Sequence, residues 1–148
     1  MAPPAPPNCL LLTAVFDGPL NNKYPRGVEL YATCDIPDLS AYGLGSANGG
    51  GGTDGQEFTF PAASASEGQF IYVSREEEDF AIWFGFAPSY TTPAMLISGD
   101  DAIELFYGSA VVDVYGDINV DGTNEAWEEM FLQHFTKKIK FAIKPHGK

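Results

Sequence analysis

The chain reads as an all-β protein folded into a two-layered sandwich, and three observations point there. Short segments rich in β-branched and aromatic residues recur between clusters of Gly, Pro, Asn and Asp, the spacing of a sandwich or barrel. The 148 residues are 45% hydrophobic and only 19% charged, enough for one core and far from a disordered composition. Helical periodicity is absent until residue 121, after which Trp127, Met130, Phe131 and Phe135 fall on one helical face.

Taken in order, the expected strands are 10–16, 27–33, 57–60, 69–74, 102–107 and 110–115, with two short ones at 42–44 and 94–97. Gly108-Ser109 sits between two apolar runs and reads as a two-residue hairpin turn, since Gly adopts positive φ without steric cost. Residues 46–55 are so rich in Gly that a mobile loop without a core of its own is expected. Within them Gly49, Gly50, Gly52 and Asp54 match one unit of a calcium β-roll, an architecture that depends on stacked repeats. The acidic run 75–79 reads as a solvated loop or a short helical turn, and Trp83, Phe84 and Phe86 behind it as core filling, a lid or a ligand platform. One short C-terminal helix is expected over 125–136. Beyond it Ile139, Phe141 and Ile143 alternate with lysines, the pattern of a final edge strand.

Charge narrows the function classes. The net charge is -12, yet five lysines crowd the end of the chain; residues 1–136 hold only Lys23, Arg26 and Arg75 against all 20 acids. Such a surface repels phosphate backbones, so nucleic acid is an unfavourable partner. No stretch reaches the roughly 18–20 apolar residues of a membrane span. The start is Ala/Pro-rich without a basic region, and the short apolar run after it reads as the first strand; a secreted origin stays open.

A further likeness lies in a series of motifs: Leu12-Thr13-Ala14-Val15-Phe16-Asp17-Gly18, Gly27-Val28-Glu29-Leu30-Tyr31 and Asp38-Leu39-Ser40-Ala41-Tyr42-Gly43-Leu44. It continues with Phe58-Thr59-Phe60-Pro61, Gly68-Gln69-Phe70-Ile71-Tyr72-Val73, Gly99-Asp100-Asp101-Ala102-Ile103-Glu104-Leu105 and Val111-Val112-Asp113-Val114-Tyr115-Gly116. In order and spacing this series resembles the bacterial form of the lamin tail domain. The resemblance implies an immunoglobulin-like sandwich over 10–128, after a flexible segment 1–9, with attachment or recognition as its role and no catalytic residue to transfer. The basic segment 129–148 departs from the family's closing strand. It is a candidate for pairing between copies, making a homo-oligomer one expected state.

The sharpest chemical motif is the stretch 117–128. Asp117, Asn119, Asp121, Glu125 and Glu128 supply side-chain oxygens at positions one, three, five, nine and twelve of an EF-type loop, Gly122 holds position six, and Thr123 offers its carbonyl. Two readings stand: a calcium loop, or an Asx-rich turn between strand and helix. Calcium is thus the one cofactor the residues suggest. Cys9 and Cys34 would face each other in a hairpin centred between Asn21 and Asn22; they are either bridged, which suits an oxidising, extracellular or cell-surface setting, or two free thiols. His134 and His146 lack the signature of a nucleophile partner or zinc ligand. The expectation is a non-catalytic binding module whose ligand, a protein or surface polymer, meets the loops at one end. The alternative is a calcium-dependent carbohydrate binder built on 117–128.

Overall fold

The computed structural model describes residues 7–18, 20, 24–47, 50–97, 101–119 and 142–143. They form two sheets and one short helix. The strands are β1 (Leu10–Asp17), β2 (Arg26–Ala32), β3 (Tyr42–Ala47), β4 (Phe58–Thr59), β5 (Phe70–Ser74), β6 (Tyr90–Thr91), β7 (Ala102–Tyr107), β8 (Ala110–Tyr115) and β9 (Ala142–Ile143); the helix, α1, is Glu78–Phe84. One sheet has the order β6-β5-β2-β1-β9, the other β4-β3-β7-β8. Only the two outer pairs of the first sheet, β5 with β6 and β1 with β9, run parallel.

Period-two alternation sends one row of each strand inward. From the five-stranded sheet come Val15, Val28 and Val73, paired side by side, and then Leu12, Leu30 and Ile71; from the other come Tyr42, Leu44, Ile103, Leu105 and Tyr115. All of them are buried, so the core lies between the sheets. Gly108 turns the β7–β8 hairpin at φ 64°, with Tyr107 opposite Ala110, as its sequence predicts.

Two bulges close one side of the sandwich. Thr13 is the extra residue between the pairs Leu12–Leu30 and Ala14–Glu29, and Val112 interrupts the register of β8 against β7. A bulge re-aims the neighbouring side chain. Here Asp113 accepts the Leu12 N–H at 2.9 Å, tying β1 of one sheet to β8, an edge strand of the other.

Several expectations are corrected. Residues 94–97 are not a strand: Pro93–Met95 form a 3-10 turn, because Pro suits a first helical position and the Thr92 hydroxyl caps it by accepting the Ala94 N–H. The strand expected at 42–44 runs on to Ala47, since Gly45, lacking a Cβ, lets the Gly55 carbonyl approach β3. The glycine-rich stretch is therefore packed, over residues 50–55, on the outer face of the four-stranded sheet, where Thr53 donates to the buried Glu104 at 2.6 Å. The helix that is seen begins within the acidic run, whose Glu78 and Asp79 form its first turn. The one expected over 125–136 lies outside the described residues, while Ala142–Ile143 do form an edge strand beside β1.

The cysteines are bridged, with Cα atoms 5.2 Å apart. The expected register, in which paired numbers sum to 43, holds from Ala14 to Asp17; the Thr13 bulge shifts it by one from Leu12 to Leu10. Thr33 consequently donates its N–H to Cys9, and the bridge runs diagonally to Cys34.

Candidate functional site

The outward-facing residues of β1, β2 and β5 form three rows: Phe16–Gly27–Ser74, Ala14–Glu29–Tyr72 and Leu11–Tyr31–Phe70. Helix α1 lies on the first two. Its start is held by Glu76, which accepts the Phe80 N–H at 3.0 Å, and its end by Gly85, whose φ of 85° is the left-handed cap that glycine favours. Phe80 and Phe84, one turn apart, face the sheet. The Phe80 ring centroid is 5.7 Å from both Phe16 and Tyr72, and that of Phe84 is 5.2 Å from Phe16. Phe86 closes the cluster at 5.1 Å from Tyr72. Gly27 makes room for it: a Cβ there would collide with the Val73 carbonyl and stand 2.9 Å from the Phe16 ring.

At the centre sits Glu29. Its Oε1 accepts the Thr13 hydroxyl at 2.8 Å and its Oε2 the Tyr72 hydroxyl at 2.7 Å, so the carboxylate and the Tyr72 ring hold each other in place. The β1 bulge is what aims Thr13 at it. Burial, followed by the bond to Glu29, pushes the Tyr72 phenol well above its ordinary value, and burial together with Tyr107 pushes Tyr42 up to about 12. The folded state then keeps protons that the unfolded chain releases above about pH 10, so its stability falls as pH rises past that point. Urea midpoints measured at about pH 9 and about pH 11 should show the drop, and Tyr72→Phe should make it smaller; an identical drop in the variant would contradict the assignment.

The solvent side of this layer is apolar. Ile82 is 66% exposed, Trp83 43%, Phe86 45% and, further along the sheet, Phe70 42% with its ring 4.9 Å from Tyr31. Glu77 and Glu78, both exposed, border it. Of Trp83, Phe84 and Phe86, Phe84 packs inward as core filling, Phe86 packs on Tyr72 and Phe80 with part of its ring in solvent, and Trp83 is exposed. Glu29, Tyr31, Phe70 and Tyr72 were missed by sequence reasoning, although their shared outward parity on paired strands was the available signal.

The loop expected to hold calcium begins at the opposite sheet's end. Asp117 and Asn119 follow β8, and the Asn119 N–H donates to Asp117 Oδ1 at 2.8 Å, an Asx turn. The Gly52 N–H donates to the Ile118 carbonyl at 2.8 Å, which sets the glycine-rich stretch beside them. Asp121, Thr123, Glu125 and Glu128 lie outside the described residues, as do His134 and His146. Among the described residues no helix is long and apolar enough to cross a membrane. Compared with models of known protein families, with curated proteins and with solved structures, the chain finds no match.

Proposed function

We propose that the chain is a non-catalytic recognition module of the lamin-tail type, an immunoglobulin-like sandwich whose ligand meets the outer face of the five-stranded sheet and α1. The observation that carries this reading is the exposure of Phe70, Trp83 and Phe86 on a layer whose other aromatic rings are packed against the sheet. Neighbouring exposed aromatics on a fixed support are the usual anchors of a binding surface, because they bury much area at little entropic cost. Glu29 is consistent with a binding role: both its oxygens accept hydroxyls, from Thr13 and Tyr72, that stiffen the surface. The bridged cysteines support an extracellular or cell-surface setting. The ligand on this reading is a protein or a surface polymer.

A second reading rests on the bond from the Gly52 N–H to the Ile118 carbonyl, which sets the glycine-rich stretch beside the start of the 117–128 segment. There Asp117 and Asn119, with Asp121, Thr123, Glu125 and Glu128, would hold calcium for carbohydrate recognition. One experiment separates the two. Arrays of glycans and peptides are probed with the wild-type chain, with the same chain in chelator, and with Phe70→Ser/Trp83→Ser/Phe86→Ser. Loss of about tenfold or more in the triple variant, with no effect of chelator, is expected on the first reading; binding abolished by chelator and untouched by the triple variant would replace it with the second.

A further inference from the structure

We infer that the exposed side of α1 docks a basic peptide segment, with apolar residues interleaved among its cations, belonging to another protein. The inference rests on the recognition reading above and names the ligand class of that surface. Within one short stretch the chain sets Glu77 and Glu78 beside Ile82, Trp83 and Phe86, all of them exposed. Glu78 and Ile82 are one turn apart on α1, so a carboxylate and the most exposed aliphatic side chain share a face. Phe80 and Phe84 occupy the other side against Phe16 and Tyr72, and Phe86 packs one side of its ring on Tyr72 and Phe80, so the exposed Glu78 and Ile82 are not needed to hold the helix on the sheet.

Charge selects the occupant. The chain carries a net charge of -12 even with its five C-terminal lysines counted, a field that draws in cations and disfavours phosphate-rich surfaces such as anionic membranes or nucleic acid. A purely cationic ligand would leave the aromatic patch in water, and a purely apolar one would leave the carboxylates unused or desolvated. A segment that alternates lysine or arginine with aliphatic residues meets both, and its cations can also lie over the Trp83 ring.

The probe is a synthetic peptide of alternating lysine and leucine, titrated by calorimetry into the full chain at about 0.15 M salt, where exposed charges alone are largely screened. Glu78→Lys and Ile82→Ser/Trp83→Ser should each weaken binding about tenfold or more, whereas Glu67→Lys, the same charge reversal on an exposed turn of a different segment, should stay within about twofold. Equal affinity in all four proteins would overturn the inference, as would capture of anionic vesicles in place of the peptide, or a dimer in solution whose dissociation is what the peptide competes with. If an array ligand depends on Phe70, Trp83 and Phe86 while the peptide fails to bind, the surface stands and the ligand class falls. If the peptide binds equally to the triple variant, the surface itself falls.

Discussion

Phe80→Ala should lower the free energy of unfolding by about 3–5 kcal/mol, as expected for truncating a fully buried aromatic side chain. Phe80 has no exposed surface and its ring meets Phe16, Tyr72, Phe84 and Phe86 at once. The loss should exceed the lost burial alone, since α1 is too short to persist without tertiary contacts. Ile82→Ser, two residues along on the solvent side, should change stability by no more than about 0.5 kcal/mol. Urea unfolding of both variants checks the pair. Equal effects would mean that α1 does not present one side to the sheet and the other to solvent.

Removing the Cys9–Cys34 bridge is the second large effect. The bridge closes a loop across a sequence separation of 25 and, in the chain-entropy account, contributes about 3 kcal/mol. Cys9→Ala/Cys34→Ala should therefore melt about 10 °C below the wild type. Cys9 is buried immediately before β1, so alanine, which adds no buried hydroxyl, is the better replacement. Intact mass after alkylation without reductant should show no free thiol; two alkylated thiols would contradict the bridge.

How far the sequence leads is visible at particular residues. Alternation of apolar and polar residues was enough to place β1, β2, β5, β7 and β8, and Gly108 marked its turn, because each of these signals is local. The Thr13 bulge left no such mark: it is held where Asp113 accepts the Leu12 N–H and Glu29 accepts the Thr13 hydroxyl, and neither acceptor is a sequence neighbour. That one residue explains why the cysteine pairing was readable and its register only half so. Residues 94–97 looked like a strand for their apolar side chains, yet Thr92 and Pro93 set the backbone. The aromatic face was the least legible feature. Phe16, Glu29, Tyr72 and Phe86 lie in four separate segments, and only the cross-strand pairing of β1, β2 and β5, with α1 laid on them, brings these residues to one surface. In the candidate calcium loop Asp117 and Asn119 are joined in an Asx turn, and Asp121, Thr123, Glu125 and Glu128 lie outside the described residues.

The recognition surface depends on α1 turning Phe80 toward the sheet while Trp83 and Phe86 face solvent. Solution NMR with a soluble nitroxide tests this in one sample of the intact chain. The account predicts broadened signals from the Trp83 indole and the Phe86 and Phe70 rings, an unbroadened Phe80 ring, and cross-relaxation between Phe80 and Phe16. A shielded Trp83 together with a solvent-broadened Phe80 would show the helix turned the other way and remove the surface on which the proposed recognition rests.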